Sequence, residues 1–173
     1  MRGICGDRKC AGFFLELLAE RHAGEVISTG LLDTIARHRE RIELPEFPMS
    51  IFDSIIGQEL AHIRLLERAM RILGGSPSAP SARARQLECN SEHLRRIVRE
   101  ERGGFVGSLE ALLFAELRDE VGWETLLPFA GTCLGSLAWE FRGALLEKKE
   151  HARILRDWIA RAHSSAYPSR RPA

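Results

Sequence analysis

The sequence lacks long uninterrupted apolar runs. Charged residues break every hydrophobic stretch within a few positions, so no segment reads as a membrane span. It lacks an excess of charge of one sign: 25 Lys and Arg stand against 24 Asp and Glu, a net charge of +1. That balance gives no electrostatic case for nucleic acid or an anionic membrane. The local bias between residues 83 and 102, six arginines against four glutamates, reads as a solvated connection rather than an RNA-binding patch. Cysteine is scarce and badly spaced for metal. Its four copies, at 5, 10, 89 and 133, include no C-x-x-C pair, which argues against a tetrathiolate iron site or a zinc ribbon. Unpaired thiols in a reducing compartment are expected, with a redox pair of Cys5 and Cys10 as the competing reading. The single tyrosine, Tyr167, stands near the end of the chain, so nothing supports a tyrosyl radical. The start, "MRGICGDRKC", has no apolar core of a signal peptide, and a cytoplasmic protein is expected.

Strand-like alternation is almost absent, and helical periodicity takes its place. A chain of 173 residues, 45% hydrophobic and 28% charged, is expected to form one globular domain. The first helix is expected over about 11–39, with a stripe of Phe13, Leu17, Ile27, Leu31 and Ile35 that also contains Glu20 and Gly24. Gly24 and Gly30 weaken a helix interior by about 1 kcal/mol each, which suggests close packing at both. The prolines of "ELPEFPMS" mark a connection. Ser50 is the expected N-cap of a second helix that ends at Gly74 and Gly75, with Phe52, Ile55, Glu59, His62, Leu66, Met70 and Leu73 along its stripe. After "SPSAPSARAR" a shorter helix is expected from about Ser91 to Arg102. A third long helix follows Ser108, with Leu109, Leu113, Glu116, Glu120, Trp123, Leu127 and Ala130 on one face. Pro128 should kink it or end it early. The last long helix, about Ser136 to Ala162, lines up Phe141, Ala144, Lys148, His151, Leu155 and Trp158.

These elements make two helical hairpins joined by a long crossover, an all-α four-helix bundle with a short extra helix in the connection. Residues 1–10 are expected to be a flexible segment, 11–164 the bundle with its crossover at about 75–107, and 165–173 a disordered tail.

An internal repeat underlies the hairpins. "FLELLAE" at 14–20 and "FAELRDE" at 114–120 share F-x-E-L-x-x-E, and "AHIRLL" at 61–66 and "EHARIL" at 150–155 share H-x-R-x-L. Each half therefore carries carboxylates on its first helix and a histidine on its second. Glu59 and His62, at i and i+3, share one helical face within an apolar stripe. Charged groups buried there are costly unless paired or bound to a cation. Carboxylates with imidazole suit iron or manganese better than structural zinc or copper.

In this architecture and motif order, residues 12–160 resemble the ferritin-like superfamily, including rubrerythrin and bacterioferritin. That resemblance implies a di-iron or di-manganese centre held by one glutamate from each of two helices and a Glu-x-x-His from each of the other two. Carried over, Glu59 and His62 match the first Glu-x-x-His, and His151 matches the second histidine. Glu20 is the carboxylate of the first helix by the repeat, with Glu25 as the alternative, and Glu116 or Glu120 that of the third. One position departs from the pattern: Lys148 stands where the family has glutamate, three residues before His151. Glu147, four before it, is the substitute. The implied cofactor is two iron ions, or one if the Lys148 ammonium replaces a metal, with manganese as the alternative ion. The implied function is a non-haem oxidoreductase acting with dioxygen or peroxide on an unspecified small molecule. The competitors are a bundle with a degenerate site serving as a scaffold, and iron handling without turnover. The expected partner is a second copy of the chain, in a homodimer or larger homo-oligomer.

Overall fold

The computed structural model describes residues 8–38, 48–79 and 81–166. Within them the chain forms five α-helices: α1 (Arg8–His38), α2 (Met49–Ile72), α3 (Ala82–Arg99), α4 (Gly104–Cys133) and α5 (Leu137–Ala166). No strand occurs among the described residues, and none of the helices is long and apolar enough to cross a membrane. Helices α1, α2, α5 and α4 close a ring in which each packs against the next, and α3 lies against α1 and α4.

The inward positions of the four long helices recur at alternating steps of three and four. On α1 they are Phe14, Leu18, Arg21, Glu25, Ser28, Leu32 and Ile35, all buried. On α4 they are Leu109, Leu112, Glu116, Asp119, Trp123, Leu126 and Ala130. Such a 3.5-residue period suits helices that cross at shallow angles. Along each helix the middle of this row is polar and both ends are apolar, so the interior is layered. One apolar cluster contains Ile27, Leu31, Phe52, Ile55, Leu109, Leu112, Leu155 and Trp158. The other contains Phe14, Leu18, Leu66, Met70, Trp123, Leu126 and Phe141. The order in which each helix visits the two clusters gives its direction: α1 and α5 run one way, and α2 and α4 the other. The chain must therefore return the length of the molecule between α2 and α4, and α3 makes that return.

Several local expectations change. Pro48, not Ser50, is the cap residue of α2, with Ser50 inside the first turn. The end of α2 is as expected: Gly74 adopts φ 76°, a left-handed conformation that costs glycine little. Helix α3 begins nine residues earlier than Ser91, inside the polar connection. The Ser81 hydroxyl accepts from Ala84 N at 3.1 Å and donates to Glu16 at 2.8 Å, and Leu87, Ser91, Leu94 and Val98 are buried beneath it. Helix α4 starts before Ser108 and continues through Pro128 to Cys133. Pro128 and Glu124 are both exposed, so the carbonyl that proline leaves without a partner is on the solvated side. Phe13, expected on the inward stripe, is 48% exposed, and Trp139 is 77% exposed. Helix α1 begins before residue 11, and α5 continues to Ala166, into the span expected as tail. Cys10 and Cys89 are free, whereas Cys133 is disulfide-bonded, so unpaired thiols are not the rule throughout. Cys5 and Tyr167 lie outside the described residues.

Candidate metal centre

The polar layer between the two apolar clusters is built from all four long helices. Helix α1 supplies Arg21, Glu25 and Ser28; α2 supplies Glu59 and His62; α4 supplies Glu116 and Asp119; α5 supplies Lys148 and His151. All are buried. On three of the helices the pair is spaced i and i+3, which sets both groups on one face at nearly one level.

Lys148 is at the centre. Its Nζ lies 2.7 and 2.6 Å from the two carboxylate oxygens of Glu59. It is also 3.1 Å from Glu25 Oε2, 3.2 Å from Glu116 Oε2 and 3.4 Å from Asp119 Oδ2. A second cation, Arg21, pairs with Asp119, and its Nε lies 3.4 Å from Glu25 Oε1. The Arg21 guanidinium fits between α1 and α4 because Gly24 and Gly122 leave room: a Cβ at either would collide with it. Gly30, by contrast, has open space around it, so the close packing expected there is absent. Ser28 Oγ donates to Asp119 Oδ2 at 2.7 Å, and Trp123 Nε1 donates to Glu25 Oε1 at 2.8 Å.

The two histidines flank this core in matching fashion. His62 directs Nδ1 at Glu25 Oε2, 3.2 Å away, and Nε2 at Glu147 Oε2, 2.8 Å away. His151 Nε2 bonds to Gln58 Oε1 at 2.8 Å, and its Nδ1 points inward, 3.0 Å from Glu59 Oε1 and 3.4 Å from Glu116 Oε2. Each ring is thus held from outside by an oxygen acceptor and presents Nδ1 to the carboxylates, which is how outer residues orient histidine ligands at metal sites.

Charge is not evenly shared in this layer. Burial pushes the Glu25 carboxyl up, but the Lys148 ammonium, the His62 hydrogen bond and Arg21 outweigh it and hold it well below the ordinary range. Burial likewise raises Glu116, and Lys148 and His151 bring it below normal. Glu59 goes the other way: burial, with Glu116 and Glu25 close by, pushes it well above a normal carboxyl despite Lys148. Burial disfavours the charge on Lys148, but Glu116, Glu25, Glu59 and Asp119 more than restore it. Four carboxylates outnumber two fixed cations here, and of the four it is Glu59 that is pushed toward its protonated form.

Two buried groups of three have ligand atoms close enough to hold a metal ion: Glu25, Glu59 and His62, and Glu59, Glu116 and His151, each set within 4.8 Å. They share Glu59. Of the residues expected from the sequence, Glu59, His62, Glu116 and His151 come together, and Glu147 stands at the rim, 41% exposed, against His62. Glu20 and Glu120 do not join them. Glu20 pairs with Arg83 on the surface, and Glu120 lies 3.9 Å from Lys149. The carboxylate of α1 is Glu25, the alternative to Glu20. Five residues on, it is turned about 140° around the helix from Glu20. Asp119 and Arg21 were not anticipated. Their signal is the alternating three-and-four spacing, which runs through Arg21 and Glu25 on α1 and through Glu116 and Asp119 on α4.

No protein family, curated protein or solved structure is found to match this chain. Over its described residues the chain is all-helical, with buried carboxylate–histidine groups that can hold a metal ion.

Proposed function

We propose that this chain is a ferritin-like metal-binding protein whose resident ion is iron, with manganese as the alternative, and that it is a non-haem oxidoreductase acting with dioxygen or peroxide. The observation that carries the reading is the pair of buried triads meeting at Glu59. The helix directions and the long return between α2 and α4 support the same architecture.

The residues present fit a metal. His151 Nδ1 and Glu116 Oε1 are buried without a hydrogen-bond partner, the condition of donor atoms that await a cation. Glu59 would be shared between the triads, Glu25 and Glu116 would be terminal carboxylates, and His62 and His151 would supply nitrogen. When bound, the ion would supply the redox chemistry with dioxygen or peroxide. The chain's own part is to orient: Gln58 and Glu147 fix the imidazole rings, and Trp123 fixes Glu25. The apolar clusters above and below keep bulk water from the layer.

The position of Lys148 favours a second reading, in which its ammonium replaces all metal and the bundle serves as a scaffold. Metal analysis separates the two. Protein loaded anaerobically with ferrous iron and then freed of excess should retain iron and consume dioxygen on aeration. Retention of no iron, with none of the other first-row divalent ions held either, would establish the scaffold.

A further inference from the structure

The two triads are not equally free. Both oxygens of Glu25 are committed: Oε1 accepts from Trp123 and faces Arg21, and Oε2 faces His62 and Lys148. His62 is engaged at both ring nitrogens. The second triad retains two unpartnered buried donors, His151 Nδ1 and Glu116 Oε1. His151 Nε2 is held by Gln58 Oε1 at 2.8 Å, and its Nδ1 is turned to carboxylate oxygens, 3.0 Å from Glu59 Oε1 and 3.4 Å from Glu116 Oε2. An imidazole nitrogen converging with two carboxylates from different helices is a donor set that a cation can join.

Given a metal-binding cluster, as proposed above, we infer that Lys148 permanently occupies the place of one metal and that the centre takes a single divalent cation, at Glu59, Glu116 and His151. The lysine is long enough to bring its ammonium to the middle of the layer, within 3.4 Å of four carboxylates, where a cation is already supplied. The electrostatics agree. The layer holds two more buried carboxylates than fixed cations, and one divalent ion restores the balance. The access agrees as well. A groove of about 440 Å³ between α2 and α5 is lined by Gln58, Glu147, Glu150 and His151, together with Ile55 and Ile154, and so reaches the surface beside this triad. Its acidic rim suits an incoming cation.

Manganese titration of the full chain, followed by electron paramagnetic resonance and by metal analysis of the gel-filtered protein, tests this. The wild type should bind one Mn(II) per chain and show the six-line spectrum of an isolated ion. H151Q should weaken that binding by about tenfold or more, and by more than H62Q does. Should H151Q fail to fold, Gln58→Ala, at a half-buried position, should weaken binding through the loss of the ring's outer partner. K148E should bind two ions and show a coupled spectrum. Two ions in the wild type, or an ion lost with H62Q and retained with H151Q, would overturn the inference and leave metal binding standing. An ion bound by K148E and not by the wild type would also overturn it. No ion in either protein would remove both this inference and the metal-binding function.

Discussion

Lys148 Nζ lies 2.6 Å from Glu59 Oε2, with both side chains wholly buried, at the level where the four long helices all turn polar. A charge so enclosed is tolerated only with partners, and here the partners are carboxylates from α1, α2 and α4. Removal of the ammonium should therefore be severe. Lys148→Met keeps most of the volume and strands the carboxylates. It should destabilise the metal-free protein by about 3–5 kcal/mol in urea unfolding. Saturating Mn(II) should recover part of that loss, about 2.7 kcal/mol at one hundred times the dissociation constant. A loss under 1 kcal/mol would mean that the ammonium is not a structural cation.

The carboxylates should differ among themselves. Glu59 is pushed toward its protonated form by burial and its acidic neighbours, whereas Glu25 is held ionised chiefly by Lys148. An amide imitates a protonated carboxyl better than an ionised one. Glu59→Gln should thus cost the metal-free protein less stability than Glu25→Gln, which removes the partner of two cations and should cost about 3 kcal/mol. The reverse order in denaturant midpoints would contradict this charge distribution.

Two glycines give a third prediction. Alanine is the better helix former by about 1 kcal/mol, yet Gly24→Ala and Gly122→Ala should each lower stability by about 1–3 kcal/mol, because the new methyl displaces Arg21 from Asp119. Gly30→Ala, in open space, should raise stability instead. Thermal melts of the three variants suffice. Equal gains at all three positions would show that the Arg21 niche is not rigid.

Glu20→Ala and Glu120→Ala should leave metal content unchanged and alter stability by less than about 0.5 kcal/mol, since both residues pair only at the surface. Metal analysis of the two variants is the check. Loss of metal from either would place the site elsewhere.

That contrast shows how much of the molecule the sequence disclosed. The inward rows of α2 and α5 were legible nearly residue by residue, from Phe52 to Met70 and from Phe141 to Trp158, because their apolar residues dominate the period. On α1 the expected Leu17, Ile27, Leu31 and Ile35 are buried and the polar middle is one residue off; on α4 Leu109, Glu116, Trp123 and Ala130 are as expected and only the positions between them differ. The buried α1 row has Arg21, Glu25 and Ser28 at its middle, where apolar periodicity gives no signal, and the expected stripe runs through Glu20 and Gly24 instead. On α4 the same slip favoured Leu113, Glu120 and Leu127 over Leu112, Asp119 and Leu126. The repeated F-x-E-L-x-x-E was misleading for a related reason: Glu16 binds Ser81, while its counterpart Glu116 binds Lys148. Composition and spacing reveal that carboxylates and histidines meet; which carboxylate turns inward depends on helix phase, and only packing fixes that.

The most direct test of the central claim, one metal beside a resident lysine, is anomalous diffraction at the manganese edge from crystals of the manganese-loaded full chain. One peak per chain is expected within bonding distance of Glu59, Glu116 and His151 Nδ1, with the Lys148 ammonium still among Glu25, Glu59 and Asp119. Two peaks with Lys148 turned away, or no peak in the layer, would contradict it.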